Sequence, residues 1–163
     1  MFAEAVIEEA GWAQAIPSFG PERRGAPVSA FNRISDGEIH IRCGVYEPDV
    51  LVVLDRTLLK LEGIIDGLKD DGIMIVNTKQ TAEAIRSQIK YQGKLALVDA
   101  SGIALREIGV SIANTAILGA VARATKLVSL EAIAVVIMER FPGKIGEKNA
   151  AAARRAFEET RLS

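Results

Sequence analysis

Short apolar runs alternate along this chain with longer stretches in which apolar side chains recur at three- and four-residue steps. The first run is Asp49 to Asp55, "DVLVVLD", whose β-branched interior reads as a buried strand. In the following "LLKLEGIIDGLKDDG", the positions Leu58, Leu59, Leu61, Ile64, Ile65 and Leu68 fall on one helical face, and Asp70-Asp71-Gly72 closes the segment, so the spacing predicts a helix. The same unit returns as "GIMIVNT" (Gly72 to Thr78) followed by "TAEAIRSQIKY", and as "KLALVDA" (Lys94 to Ala100) followed by a candidate helix ending near "REIG". Three strand-then-helix alternations imply a largely parallel sheet with helices packed on its faces, hence an α/β fold.

The N-terminal third has another rhythm. "WAQAIPSFG", "APVSAFNRIS" and "EIHIRCGVY" are short strand candidates, expected to pair as a smaller, partly antiparallel section. After Ser111 the chain turns helical, with "NTAILGAVARAT", then "SLEAIAVVIMERF" behind the N-cap candidate Ser129, then "EKNAAAARRAFEETRL". The last of these is read as a helix docking on its own domain or on a partner.

A length of 163 residues fits a single domain over 1–163. Lys plus Arg number 20 against 21 Asp plus Glu, so the balance draws the chain neither to nucleic acid nor to an anionic membrane. No apolar run approaches the roughly 18 residues of a membrane span, and "MFAEAVIEEAG" carries acids where a secretory signal carries bases. A cytoplasmic location is expected. The 49% apolar share allows additional faces to be buried against partners, although a well-packed monomer has a similar composition.

Cys43 is the only cysteine, which excludes an internal disulfide and a cysteine ligand set for an iron–sulfur cluster. His40, also alone, reads as a half-buried packing residue of a strand, and neither residue is assigned a role. No Ser-His-Asp, Cys-His or metal-ligand constellation is evident, so no catalytic and no metal residues are expected. Absence of "G-x-G-x-x-G" after any expected strand counts against a dinucleotide site of the usual kind.

The most unusual stretch is "IPSFGPERRGAPV", Ile16 to Val28. Pro17, Pro21 and Pro27 each fix φ and remove a donor, while Gly20 and Gly25 permit conformations closed to other residues. Arg23 and Arg24 are adjacent and diverge in extended or turn backbone, so one can pair inward while the other faces a ligand or a partner chain. On composition alone a structural loop, with the arginines as surface ions or tethers, is the favoured reading. A second candidate is "NTAILGA", where Asn114 or Thr115 either caps the helix or presents its start to an anion or a neighbouring subunit. Asp55 ends its strand at the crevice edge where open α/β sheets bind ligands, and a helix cap fits it equally. Lys79, at the corresponding edge, reads as a solvated surface charge.

"PSFGPERRGAPVSAFNRISD" closely resembles the signature region of the gamma subunits of pyruvate:ferredoxin oxidoreductases, within the 2-oxoacid:acceptor oxidoreductase family. The likeness continues through "DVLVVLD", "GIMIVNT" and "NTAILGAVARAT", and so spans nearly the whole chain. The resemblance implies a three-layer Rossmann-like domain with a mostly parallel sheet, helices on both faces and a helical C-terminus. It also implies a complex with alpha, beta and delta subunits, in which pyruvate is oxidatively decarboxylated to acetyl-CoA and CO2. That complex uses thiamine diphosphate, magnesium and [4Fe-4S] clusters held by other subunits, coenzyme A as co-substrate and ferredoxin as electron acceptor. No cofactor is expected on this chain alone.

The form of the loop points toward pyruvate, with branched-chain 2-oxoacids as the near neighbour. The resemblance assigns this type of subunit packing and lid roles, and makes Gly20, Glu22, Arg23, Arg24 and Gly25, with Asn114 and Thr115, candidates for the coenzyme A or interface region. An arginine fork suits anionic phosphates through paired, charge-assisted hydrogen bonds. Family members typically begin with a strand and a "G-R-G-G-Q-G" turn before the first helix, whereas "MFAEAVIEEAG" starts inside what should be that helix. The first strand is therefore expected to be missing, and with it autonomous coenzyme A binding. A partner-free coenzyme-binding α/β protein stands as the alternative function class.

Overall fold

The computed structural model of the chain describes residues 1–17 and 28–163. Helix α1 (Phe2–Glu8) is followed by strands β1 (Trp12–Pro17) and β2 (Ala30–Ser35), which pair antiparallel from Trp12 opposite Ser35 to Pro17 opposite Ala30. The expected third member of this section does not form: residues 38–46 are not a strand. The Arg33 guanidinium donates instead to the carbonyls of Ile41 (3.1 Å), Cys43 and Gly44 (3.3 Å each), oxygens that a ladder would need as acceptors. His40 is consequently exposed rather than half-buried, 4.0 Å from Glu38.

The main sheet has the order β3 (Val50–Val53), β4 (Ile73–Asn77), β5 (Lys94–Val98), β6 (Arg161–Leu162), with the first three parallel and β6 antiparallel. Strict alternation sorts its side chains onto two cores. Met74, Val76, Leu95 and Leu97 face one way, against Leu59 and against Ile85 of α2 (Ala82–Ile89). Ile75, Ala96 and Val98 face the other way, against α3 (Ala100–Glu107), α4 (Ala116–Thr125) and α6 (Lys144–Glu159). The three-layer α/β arrangement with a mostly parallel sheet is thus present. A third cluster joins α1, through Ala5 and Val6, to α5 (Leu130–Arg140), and Ala13 and Ile34 of the hairpin pack against it.

Three expectations change in detail. "DVLVVLD" is an end strand of the sheet among the described residues rather than a buried one, so Val52 and Leu54 stay partly exposed. No α-helix forms over 58–72: a 3₁₀ turn at Arg56–Lys60 gives way to turns in which Gly63 (φ +76°) and Gly67 (φ +80°) adopt left-handed backbone. A side chain at Gly67 would sit 2.1 Å from the Tyr46 carbonyl oxygen, so close approach of two loops takes the place of a helical turn. The apolar stripe still reaches the core through Leu58, Leu59, Ile65 and Leu68. At the C-terminus, α6 begins at Lys144 and ends at Glu159, and Arg161–Leu162 leave the helix to pair with β5.

The helical layer depends on small residues. A Cβ at Gly119 of α4 would lie 1.8 Å from the Ala153 carbonyl of α6, and Ala116, Ala120, Ala152 and Ala156 are fully buried in the same region. Helix α6 therefore docks on its own domain, against α3, α4 and α5. Ser129 caps α5 as its position suggests, its side chain accepting from the Ala132 N–H at 3.1 Å.

Candidate functional site

The carboxyl ends of β3, β4 and β5 open into a crevice of about 800 Å³. This is the place where parallel α/β sheets leave loop backbone and helix starts free to meet a ligand. β3 contributes Leu54, Asp55 and Arg56; β4 contributes Asn77, Thr78, Lys79 and Gln80; Asp99 and Ser101 follow β5. The far wall is Ser111 to Asn114, leading into α4.

Asn77 organises the floor. Its Nδ2 donates to the Leu54 carbonyl and to Ser101 Oγ, both at 2.8 Å, and its Oδ1 accepts from the Ser101 N–H at 3.2 Å. One buried amide thereby joins the end of β3 to the first turn of α3, and all three contacts close within the protein. Nothing in the sequence reading singled it out. The available signal is an amide ending the apolar run "GIMIVN", a position where a strand would otherwise close on another aliphatic side chain.

Asp99 caps α3, with Oδ1 accepting from the Gly102 N–H at 3.0 Å. A Cβ at Gly102 would lie 2.0 Å from Asp99 Oδ2, so glycine lets the carboxylate fold back over the helix start. Lys79 is exposed, as expected of a solvated charge, yet its Nζ lies 3.5 Å from Asp99 Oδ2 and it borders the crevice. Asp55 turns inward on its own backbone. The Thr57 N–H and hydroxyl both donate to its Oδ1 at 2.8 Å and hold the carboxyl below the usual aspartate range, the backbone bond contributing most. Of its two readings, the cap is realised, at the edge of the crevice.

Asn114 lines the crevice and is exposed, its Oδ1 accepting from the Thr115 N–H at 2.9 Å. Thr115 is fully buried and makes no side-chain cap; its hydroxyl donates to Asn149 Oδ1 of α6 at 2.7 Å, and Asn149 Nδ2 donates to the Ile145 carbonyl. Thr115 thus anchors the start of α4 from behind while Asn114 faces the opening. Gly20, Glu22, Arg23, Arg24 and Gly25 lie outside the described residues.

The crevice offers hydroxyls, an amide floor and charges of both signs, a surface suited to holding a polar ligand. No histidine or cysteine lines it. Among the described residues no three His, Cys, Asp or Glu side chains are grouped to hold a metal, and Cys43 is exposed and single, so the donor set does not fit an iron–sulfur cluster. No helix among the described residues is long and apolar enough to cross a membrane.

Residues 1–159 match the family model described as pyruvate ferredoxin/flavodoxin oxidoreductase. The chain belongs to that family. Among curated members, the pyruvate/ketoisovalerate oxidoreductases common subunit gamma of Thermococcus kodakarensis is 55% identical over 161 residues, covering 98% of this chain and 87% of that protein. The pyruvate synthase subunit PorC of Methanothermobacter marburgensis is 46% identical over 163 residues, covering 100% and 89%. The crystal structure of the pyruvate oxidoreductase subunit PORC of Thermotoga maritima superposes with a TM-score of 0.87 at 44% identity, covering 99% of this chain and 86% of that one. The oxidoreductase family thus accounts for the hairpin, the parallel sheet and the helical C-terminus together.

Proposed function

We propose that this chain is the gamma subunit of a pyruvate:ferredoxin oxidoreductase, a pyruvate synthase that converts pyruvate and coenzyme A to acetyl-CoA and CO2 while reducing ferredoxin. The observation that carries the reading is identity of 52–55% to gamma subunits over 98–99% of the chain and 87–88% of those proteins. The chain contributes no reacting group of its own. Thiamine diphosphate, magnesium and the [4Fe-4S] clusters belong to the alpha, beta and delta subunits, in keeping with a chain that has one cysteine. Thiamine diphosphate supplies the carbanion chemistry of decarboxylation, and the clusters carry the electrons away.

On this reading the subunit packs against the others and covers the active region. Gly20 to Gly25, with Glu22, Arg23 and Arg24, contacts coenzyme A or the neighbouring subunit. Asn114, with Thr115 behind it, is the second candidate for such a contact, at the rim of the crevice. Support comes from the chemistry of the arginine fork toward phosphate, and from a crevice lined by hydroxyls and by Lys79 and Arg56.

A second reading follows from the names of the relatives, which describe a subunit common to pyruvate and ketoisovalerate enzymes. One gamma chain then serves both complexes, and the choice between pyruvate and a branched-chain 2-oxoacid rests with the other subunits.

The test is purification of the chain from its own cells, with identification of co-purifying subunits and assay of pyruvate- and 2-oxoisovalerate-dependent ferredoxin reduction. Co-purification with activity requiring coenzyme A is expected, and turnover by the isolated chain would overturn the subunit reading. In the assembled complex, Arg23→Ala and Arg24→Ala, made separately, are expected to raise the KM for coenzyme A or to weaken assembly. Unchanged kinetics and assembly in both would remove the loop from the coenzyme A region.

A further inference from the structure

Helix α5, "LEAIAVVIMER", is apolar on more of its circumference than its own fold consumes. Ala132, Ile133, Ala134, Val136 and Ile137 fill the core against α1 and α6. Val135 and Met138, 47% and 37% exposed, lie outside that core, on the side of α5 that borders α6. The exposed face of a surface helix is ordinarily polar, and on α5 Val135 and Met138 interrupt it between Glu131 and Glu139. The short connection at Phe141 to Gly143 lays α6 beside α5, and the two form a groove of about 760 Å³.

The composition of the groove specifies its occupant. Ala150 and Ala151 of α6 face Val135 and Met138 of α5, so one wall is shallow enough for another backbone to approach closely and the other adapts its shape through the methionine. From Glu131 to Met138 the groove follows α5 for about 11 Å, at about 1.5 Å per residue, room for two turns of a helix. Its polar border is Glu131, Glu139 and Glu147 against Arg154 alone, and Arg154 already stands 3.8 Å from Glu131. A second copy of this chain would set the same carboxylates against each other.

We propose that the α5–α6 groove docks an amphipathic helix from another subunit of the assembled oxidoreductase, apolar on the face turned to Val135 and Met138 and bearing Lys or Arg on its flanks. The proposal rests on the multi-subunit reading above. Apolar contact supplies the affinity, and the acidic border sets orientation and partner choice.

The test co-expresses the chain with its companion subunits and measures how much of it elutes with them on size exclusion. Two variants are compared with wild type: Val135→Asp, and the double variant Glu139→Lys with Glu147→Lys. All three side chains are exposed, and thermal unfolding of each isolated variant checks that the fold is retained. Retention is expected to fall at least tenfold in both variants, and added salt is expected to weaken retention of the wild type. Wild-type retention of the charge-reversal variant would overturn the proposal. So would a self-dimer of the isolated chain that Val135→Asp abolishes. If wild-type chain does not elute with the other subunits at all, it is the subunit reading that fails, and the docking proposal with it.

Discussion

Asn77 and Ser101 bond reciprocally: the amide Nδ2 donates to the Ser101 hydroxyl oxygen at 2.8 Å, and the Ser101 N–H donates back to the amide oxygen at 3.2 Å. With the further bond to the Leu54 carbonyl, this pair sets the spacing between the ends of two strands and the start of α3, and so the floor of the crevice.

Replacing Asn77 by Ala leaves the Leu54 carbonyl and the Ser101 N–H without these partners at a part-buried position. The expected cost is about 2 kcal/mol, which for a chain of this size lowers Tm by roughly 4–8 °C. Asn77→Asp separates the two ends of the amide, because a carboxylate keeps the bond from Ser101 N–H and loses both donated bonds. Thermal unfolding is expected to rank the proteins wild type, then Asp or Ala, and an unchanged Tm in both variants would show that the pair does not hold the crevice floor.

Arg33 predicts a local effect elsewhere. Its guanidinium binds three carbonyls of the segment between Ile41 and Gly44 and also Gln14 Oε1 at 3.3 Å. Arg33→Ala is expected to speed amide exchange across residues 38–46 at least tenfold while leaving the main sheet protected. Arg33→Lys restores little, since an ammonium lacks the planar fork that spans several acceptors. Hydrogen exchange read by mass spectrometry checks both, and uniform protection in the Ala variant would contradict the tether.

The layers of the fold were legible because alternation is local. Leu95 and Leu97 against Ala96 and Val98 give the two faces of β5 directly, and the alanines of α6 announce a helix that packs closely. The segment after β3 was not legible in the same way. Its apolar spacing is helical, and those side chains do reach the core, but Gly63 and Gly67 supply left-handed backbone that apolar periodicity does not register. The segment at 38–46 alternates like a strand, yet Arg33, five to thirteen positions earlier in sequence, takes its carbonyls. At the crevice, Asp55 and Asn114 could be placed from strand and helix ends, whereas Asn77 acquires its role only from two loops distant in sequence.

Gly119 fixes how closely α4 and α6 pack. Any Cβ there meets the Ala153 carbonyl carbon at 2.8 Å as well as its oxygen at 1.8 Å, both backbone atoms of a helix that cannot rotate away. Alanine would ordinarily improve a helix interior by about 1 kcal/mol. Here the helices must separate, and overpacking of this kind costs about 1–3 kcal/mol, occasionally more. Gly119→Ala is therefore expected to lower the urea midpoint despite its better helix propensity. A higher midpoint would mean that the α4–α6 crossing is looser than the structure shows.

Asp55 couples the crevice edge to pH. Its carboxyl is lowered in the folded chain by the bonds from Thr57, while in the unfolded chain it titrates near the ordinary value of about 3.9. A lowered folded value means that ionised Asp55 favours the folded chain above the unfolded pKa, and that this contribution disappears as the pH falls through the folded one. The stability gap between wild type and Asp55→Ala is thus expected to be constant from pH 7 down to about 5 and to narrow below about 4, measured by urea unfolding. Direct titration of the Asp55 carboxyl by NMR should give a midpoint below 3.9 in wild type, rising toward that value in Thr57→Val, which removes the hydroxyl donor and keeps the N–H. The residual lowering in Thr57→Val measures the backbone bond, and a midpoint at or above the ordinary value in wild type would show that Asp55 does not cap the turn, leaving its carboxylate free to face the crevice.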